Sequence, residues 1–255
     1  MKQLLSLILC LSLLSTYSCQ GQVSSKAGAS IAATNEPHKS DTLVYKIRAT
    51  QSEQPVLIVL MHGYGANEED LFSLASYFPE NYMVVSLRAP MPLGNGRYQW
   101  FSIMQQNNSS AAQQAEELSH SEQLLVASIE SLQEKYKIPA ERTFVGGFSQ
   151  GGIMSYQAGL NKPDRIQGIF VLSGRMLPYI KDSKDKAAAS SLNIWIAHGT
   201  ADQVIPFREA AEAENWLKQR NYKVIFKEYK GLSHSINGEE INDVLHFIKE
   251  HSGKQ

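Results

Sequence analysis

The residue best suited to a catalytic role in this sequence is a serine with a glycine two positions away on either side. It lies in the run Gly147-Phe148-Ser149-Gln150-Gly151, which has the pattern G-x-S-x-G. The run follows the apolar residues 143–145 and precedes residues 151–160, which can form a helix. A serine on a tight strand-to-helix turn presents its hydroxyl at the edge of a sheet, where it can attack a carbonyl. We predict that Ser149 is a nucleophile; a glycine-rich turn with a solvated serine is the alternative.

A serine hydroxyl needs a base, and the base needs a group that fixes its tautomer. In chains with this kind of turn the carboxylate follows the serine, and the histidine comes last. Asp202 follows a predicted strand and precedes Pro206, and His234 lies between the last predicted strand and the last predicted helix. Both positions fall at the carboxyl edge of a parallel sheet, where catalytic groups gather. We predict a catalytic triad of Ser149, Asp202 and His234.

The other histidines fit the role of base less well. His198 follows a strand and is predicted to be structural. The others considered lie in the polar N-terminal segment or on and near predicted helix surfaces: His38, His120, His246 and His251.

Backbone N–H groups must stabilise the oxyanion that develops during acyl transfer. Gln150, directly after the serine, supplies one such donor. The second is predicted to be the backbone N–H of Tyr64, in the loop His62-Gly63-Tyr64-Gly65 that follows the apolar run 56–61. An ordinary glycine turn is the alternative for this loop.

Short apolar runs alternate with helix-like segments and would position these residues. The predicted buried strands are residues 56–61, 83–87, 143–147, 166–172, 194–197 and 224–229, and residues 43–48 are a predicted edge strand. Helical periodicity is found in residues 67–78, 118–136 and 237–248, where Asn67 and Asn237 are predicted caps. The alternation predicts the α/β class, with a mostly parallel, doubly wound sheet and helices on both faces.

The composition favours one globular domain. The chain has 255 residues, of which 43% are hydrophobic, and carries 24 basic against 25 acidic residues. Disorder as the main state is therefore excluded, and no basic block offers a surface for nucleic acid. The only cysteines are Cys10 and Cys19, so the domain after them contains no disulfide, thiolate metal site or cysteine nucleophile.

The N-terminus resembles an export leader. A basic residue and an apolar stretch precede Cys19, and residues 15–19 resemble the cleavage site of bacterial lipoproteins. We predict a lipoprotein-type signal peptide over residues 1–19, a flexible tether over 20–40 and a single catalytic domain over 41–255. Lipid on Cys19 would attach the exported protein to a membrane of the periplasm or cell envelope; plain secretion is the alternative.

Four motifs together resemble the phospholipase/carboxylesterase family of α/β-hydrolases, which includes acyl-protein thioesterases. They are residues 61–71 (MHGYGANEEDL), 146–152 (GGFSQGG), 199–206 (GTADQVIP) and 231–234 (GLSH). The resemblance implies the α/β-hydrolase fold, a lidless or nearly lidless carboxylesterase, and no metal or cofactor. It implies Ser149, Asp202 and His234 as triad, and the amides of Tyr64 and Gln150 as oxyanion hole.

The substrate is predicted to be a small or medium-sized ester or thioester. The aromatic stretch with Tyr98, Trp100 and Phe101 resembles the family's pocket wall, although core packing is an equal alternative. Residues 103–114 are rich in Gln, Asn and Ser, which favours a shallow, partly wet site and acyl chains of about two to six carbons. The alternatives are an exported esterase that removes acetyl or feruloyl groups from polysaccharide, a lysophospholipase, and an inactive binding lipoprotein. The sequence leaves the oligomeric state open.

Overall fold

The computed structural model describes residues 42–103, 110–182 and 191–253. The predicted leader with Cys19 and the predicted tether lie outside these ranges. The strands are β1 (Tyr45–Arg48), β2 (Val56–Met61), β3 (Tyr82–Leu87), β4 (Met91–Gly94), β5 (Arg97–Gln99), β6 (Thr143–Phe148), β7 (Gly168–Leu172), β8 (Asn193–Gly199) and β9 (Lys223–Tyr229). The helices are α1 (Glu68–Phe72), α2 (Ala111–Tyr136), α3 (Gln150–Asn161), α4 (Pro178–Asp182), α5 (Arg208–Gln219) and α6 (Gly238–His251).

Seven strands form one sheet in the order β1-β3-β2-β6-β7-β8-β9. Neighbouring strands run parallel except β1, which pairs antiparallel with β3 at the edge. Every residue of β2, β3, β7 and β8 is buried, as the apolar runs predicted. The predicted mostly parallel sheet is therefore confirmed.

The register brings several loops to one edge of the sheet. Met61 at the end of β2 faces Gly147, and Phe148 at the end of β6 faces Leu172. Gly199 at the end of β8 faces Tyr229 at the end of β9. Because all these strands are parallel, the segments that follow them begin at the same carboxyl edge.

The core has one layer on each face of the sheet. Leu57 and Val59 of β2 pack in a cluster with apolar residues of α2, α3 and α5. Ile58 and Leu60 point the other way and join a cluster with residues of α1 and α6. The helices therefore cover both faces, which confirms the doubly wound arrangement.

Both predicted helix caps are present. The Asn67 side chain accepts a hydrogen bond from Glu69 N at 2.9 Å. Asn237 and Glu240 form a reciprocal capping box at the start of α6. Such caps satisfy N–H groups that have no partner within the helix.

Two local features differ from what the sequence indicated. The single helix expected over residues 67–78 divides into α1 and a 3₁₀ turn, Ser73–Tyr77, where Arg48 donates to the carbonyls of Ala75 and Phe78. The hairpin of β4 and β5 was not predicted, because its short strands lack a clear alternating pattern and turn through residues 94–96 with positive φ.

No helix in the described part of the chain is both long enough and apolar enough to cross a bilayer.

Candidate active site

Ser149 lies at the junction between β6 and α3. Its φ angle of 55° falls in the left-handed region, which is uncommon for a residue other than glycine. Its N–H donates to Leu172 O of the neighbouring strand at 2.9 Å, which ties the turn to the sheet. The strained turn exposes the hydroxyl at the carboxyl edge of the sheet, as expected for a nucleophile on such a turn.

The glycines around Ser149 are required by close backbone packing. A Cβ atom at Gly147 would lie 2.5 Å from Met61 O, and one at Gly151 would lie 1.9 Å from the same oxygen. No side chain fits at either position, because real Cβ atoms do not approach oxygen so closely. Gly146 is required by side-chain packing instead: a Cβ there would lie 2.0 Å from the Phe170 ring.

The structure brings Ser149, His234 and Asp202 together. His234 Nε2 lies 3.0 Å from Ser149 Oγ, and His234 Nδ1 lies 2.7 Å from Asp202 Oδ2. A carboxylate only accepts hydrogen bonds, so Nδ1 carries the proton and Nε2 is left to accept the serine proton. This arrangement can activate a serine hydroxyl, and the catalytic roles of the three residues stay a prediction.

The Asp202 carboxylate is completely buried but well bonded. Its Oδ1 accepts hydrogen bonds from Val204 N and Ile205 N, both at 2.9 Å. Its side chain has no exposed surface, whereas that of His234 is 16% exposed. The backbone bonds fix the carboxylate, so the position of the imidazole is fixed in turn.

A second histidine touches the same carboxylate. His198 Nε2 lies 2.8 Å from Ile205 O and 3.2 Å from Asp202 Oδ2. Because Ile205 O can only accept, Nε2 carries the proton and shares it between the two oxygens. The predicted structural role of His198 thus includes holding the carboxylate that contacts His234.

The loop after β2 is held by His62. This side chain is fully buried; its Nδ1 donates to Gly63 O at 2.7 Å and its Nε2 accepts from Ala89 N at 3.0 Å. Burial lowers the pKa of His62, which favours the neutral form that these two bonds require. Tyr64 and Gln150 both line the cavity in front of Ser149. That their backbone N–H groups stabilise the oxyanion stays a prediction.

The aromatic stretch supports this loop, and most of it does not line the cavity. Trp100 is fully buried and its indole N–H donates to His62 O at 2.9 Å. Tyr98 O accepts from Gly65 N at 2.8 Å. Only Phe101 of the three predicted aromatic residues is among the cavity residues. The pocket-wall prediction for Trp100 and Tyr98 is therefore corrected: packing and loop support determine their positions.

The Gln150 side chain connects the nucleophile turn to the aromatic stretch. Its Oε1 accepts from Trp100 N at 3.0 Å, and its Nε2 donates to Phe101 O at 2.8 Å. The side chain is buried. It thus fixes Phe101 relative to the turn that carries Ser149, a function that the motif alone did not reveal.

The cavity has a volume of about 520 Å³. Its wall includes residues that were not predicted as site residues: Gly63, Ala66, Asp70, Ile103, Gln114, Phe148, Ile153, Arg175, Val204 and Ile205. Phe148 directly follows the predicted strand 143–147, and Gly63 and Arg175 lie within three residues of the ends of the predicted strands 56–61 and 166–172. Position at the carboxyl edge was the signal in the sequence that could have found Arg175 and Phe148.

Comparisons with known proteins show the family and the fold of the chain. A family model described as Phospholipase/Carboxylesterase matches residues 44–252. Acyl-protein thioesterase 1 of Candida albicans is 29% identical over 220 residues, which cover 80% of this chain and 95% of that protein. Acyl-protein thioesterase 1 of Yarrowia lipolytica is 37% identical over 161 residues, or 59% of this chain and 67% of that protein. The crystal structure of esterase PE8, 22% identical, has the same fold: its TM-score is 0.72, with 82% of this chain and 99% of that chain covered.

The relatives contradict the predicted location. We expected an exported protein anchored to a membrane, but the relatives are acyl-protein thioesterases, which are typically cytosolic. The comparisons support neither a signal peptide nor a lipid on Cys19, and that residue lies outside the described part of the chain. The prediction of export is therefore wrong.

The family match covers most of the chain, and the relatives are ester- and thioester-cleaving enzymes. The predicted resemblance and the predicted enzyme class are confirmed. This chain belongs to the phospholipase/carboxylesterase family of α/β-hydrolases and is an esterase-type hydrolase.

Proposed function

We propose that the protein hydrolyses small or medium-sized carboxylic esters or thioesters through an acyl-enzyme on Ser149. The observation that carries the proposal is the position of His234, within 3.0 Å of the serine hydroxyl and 2.7 Å of the Asp202 carboxylate. The domain responsible is proposed to span residues 41–255, and the family match over residues 44–252 supports this range.

The first half of the reaction forms the acyl-enzyme. Ser149 Oγ attacks the carbonyl carbon while its proton passes to His234 Nε2. The carbonyl oxygen becomes an oxyanion and accepts hydrogen bonds from the N–H groups of Tyr64 and Gln150. The carbonyl then re-forms, the bond to the leaving group breaks, and the imidazolium gives its proton to the departing alkoxide or thiolate.

The second half releases the acid. A water molecule gives its proton to His234 and attacks the acyl carbon, and the bond to Ser149 Oγ breaks as that oxygen regains the proton. Asp202 orients the imidazole and stabilises its cationic form in both halves. All the groups used belong to this chain, and no cofactor takes part in the proposed steps.

The cavity lining supports the size class of the proposed substrate. Phe101, Phe148 and Ile153 offer apolar contacts, whereas Gln114 and Arg175 make part of the wall polar. Each methylene that enters an apolar channel would contribute about 0.8 kcal/mol, so a long channel would favour long chains strongly. A wall of mixed character favours acyl chains of about two to six carbons instead.

A panel of para-nitrophenyl esters from acetate to palmitate tests the proposal. We expect kcat/KM to peak within about two to six acyl carbons and to fall for longer chains. A kcat/KM that still rises at about ten carbons would replace this substrate class with a lysophospholipase or lipid thioesterase. A wild-type rate no higher than that of Ser149→Ala on every ester would overturn the proposed activity.

Thioester cleavage is the second candidate because the named relatives are acyl-protein thioesterases. Matched oxygen esters and thioesters of one acyl group would separate the two. A higher kcat/KM for the thioester, after correction for its uncatalysed rate, would favour the thioesterase.

A further inference from the structure

The cavity contains a cationic side chain that the proposed reaction does not use. Arg175 lies just beyond β7 and lines the cavity together with Ser149 and His234. It is partly buried rather than extended into solvent. A guanidinium placed beside a catalytic serine is suited to binding an anionic group, because it offers several N–H donors in a planar fork.

The backbone before Arg175 is tightly constrained. Ser173 adopts a left-handed conformation with φ of 50°, and its N–H donates to Ala197 O at 3.0 Å. A Cβ at Gly174 would lie 2.6 Å from Val171 Cγ1 and 3.0 Å from the Gly152 carbonyl carbon. This close packing against β7 and α3 fixes the direction of the chain, so Arg175 is presented to the cavity by a rigid turn.

Among the partly buried arginines of the described residues, Arg175 lacks the hydrogen-bond or ion-pair partner that the others have. Arg88 pairs with Glu68, and Arg48 donates to backbone carbonyls. Within residues 42–103, 110–182 and 191–253, no carboxylate forms an ion pair with the Arg175 guanidinium and no acceptor is hydrogen-bonded to it. A partly buried cation without a partner gains more from a bound anion than a solvated one does.

The polar side chains near Arg175 already form hydrogen bonds with other groups. Tyr179 Oη donates to Gln114 Oε1 at 3.1 Å, and Gln114 Nε2 donates to Ser102 O at 2.6 Å. Burial raises the pKa of Tyr179 to about 12 although the nearby Arg175 cation opposes the shift, so the phenol stays neutral. Asp70 also lines the cavity, but it is exposed and forms no ion pair with Arg175. The Arg175 guanidinium is therefore available to bind an anionic group of a substrate.

We propose that Arg175 forms an anion-binding subsite, and that the substrate is an ester or thioester bearing a negative charge, such as a carboxylate or a phosphate. The inference rests on the proposed function, since the reacting carbonyl is taken to lie at Ser149. The charge belongs either to the acyl part, as in a half-ester of a dicarboxylic acid, or to the leaving part. Both sources share the same chemistry at Arg175.

Matched esters separate these sources. The acyl arm compares para-nitrophenyl hemiglutarate with para-nitrophenyl valerate, which has an acyl chain of equal length without the charge. The leaving-group arm compares para-carboxyphenyl butyrate with phenyl butyrate. Each ester is measured with the wild type, Arg175→Gln and Arg175→Lys, and with Arg142→Gln as a control. Arg142 is also partly buried, but it lies just before β6, at the opposite edge of the sheet.

We expect Arg175→Gln to lower kcat/KM for the anionic ester of one arm by about 10- to 100-fold, because a charge-assisted hydrogen bond is lost. The neutral esters should change by less than about threefold. For the anionic ester, the kcat/KM of Arg175→Lys should lie between those of the wild type and Arg175→Gln, and the kcat/KM of Arg142→Gln should match that of the wild type. The arm that shows the loss identifies the part of the substrate that carries the charge.

A loss of equal size for charged and neutral esters, or no loss in either arm, would overturn the subsite. Free glutarate gives an independent readout in the acyl arm: its inhibition constant should rise at least about tenfold in Arg175→Gln. Turnover of the neutral esters distinguishes the two proposals. If the wild type hydrolyses para-nitrophenyl valerate but Arg175→Gln affects charged and neutral esters equally, only the subsite is wrong. If no ester is hydrolysed faster than by Ser149→Ala, the proposed function is wrong.

Discussion

The ends of two neighbouring strands, β6 and β7, carry serines in nearly the same conformation. Ser149 has φ of 55° and Ser173 has φ of 50°, and both lie at the carboxyl edge of the sheet. Each N–H donates to the next strand, that of Ser149 to Leu172 O at 2.9 Å and that of Ser173 to Ala197 O at 3.0 Å. The strained backbone is thus common to both strand ends and cannot by itself define a nucleophile.

The surroundings of the two hydroxyls differ. Ser149 Oγ lies 3.0 Å from His234 Nε2 and faces the cavity. Ser173 is fully buried, and its Oγ has no hydrogen-bond partner in the described part of the chain. Access to an oriented base and to a cavity therefore distinguishes the two serines, whereas the turn only presents the hydroxyl.

Replacing the nucleophile should give the largest effect. Ser149→Ala is expected to lower kcat on a para-nitrophenyl ester by about a million-fold, by analogy with the loss of the serine in serine proteases. The change removes only one oxygen and should leave the fold intact, which circular dichroism would check. A variant that keeps even about a tenth of wild-type turnover would show that the reaction does not depend on Ser149.

Changing the carboxylate should cost less. Asp202→Asn is expected to lower kcat by about ten-thousand-fold, because the amide no longer fixes the productive tautomer of His234. Its remaining oxygen can still accept from Val204 N and Ile205 N, so the melting temperature should shift little. Asp164→Asn, an exposed change far from the cavity, is the control. Equal kinetics for Asp202→Asn and the control would remove Asp202 from the triad.

The second histidine on Asp202 offers a finer test. His198→Gln should lower kcat by about tenfold with little change in KM, because one hydrogen bond to the carboxylate is lost while the cavity is unaltered. Combined with Asp202→Asn, the change should add little further loss, since both act on one carboxylate. Fully additive effects would mean that His198 contributes only to packing.

The smallest effect is expected at the other strand end. Ser173→Ala removes a buried hydroxyl that has no partner among the described residues, so kcat/KM should stay within about threefold of the wild type. The melting temperature should be unchanged or slightly higher, because an unpaired buried oxygen is removed. A loss of activity comparable to that of Ser149→Ala would break the distinction between the two serines.

Much of the fold could be predicted because the buried strands have a strong local signature. The runs that form β2, β3, β7 and β8 are apolar at nearly every position, as expected for strands covered on both faces. The order Ser149, Asp202, His234 and the positions after strands placed the candidate triad at one edge. The carboxyl ends of parallel strands lie at one edge of a sheet, whatever the length and structure of the connections between them.

The remainder depends on tertiary contacts that leave no local pattern. Trp100 was predicted in the pocket wall, but its indole N–H is used to hold His62 O in the core. Arg175 belongs to no motif. Its place after β7 indicated the carboxyl edge, but its entry into the cavity depends on the packing of Gly174 against Gly152. The hairpin of β4 and β5 is stabilised by contacts with the loop after β2, such as Gly65 N to Tyr98 O, rather than by strand propensity.

Covalent labelling tests directly whether Ser149 is the nucleophile. A fluorophosphonate reacts with a serine that a neighbouring base has activated, and trypsin separates the two serines because Arg165 lies between them. We predict one adduct per chain, on the tryptic peptide of residues 143–165 that contains Ser149, and no labelling of Ser149→Ala. An adduct on the peptide of residues 166–175, which contains Ser173, would show that Ser149 is not the activated serine. Unlabelled wild-type protein that still hydrolyses esters would show that no activated serine carries the reaction.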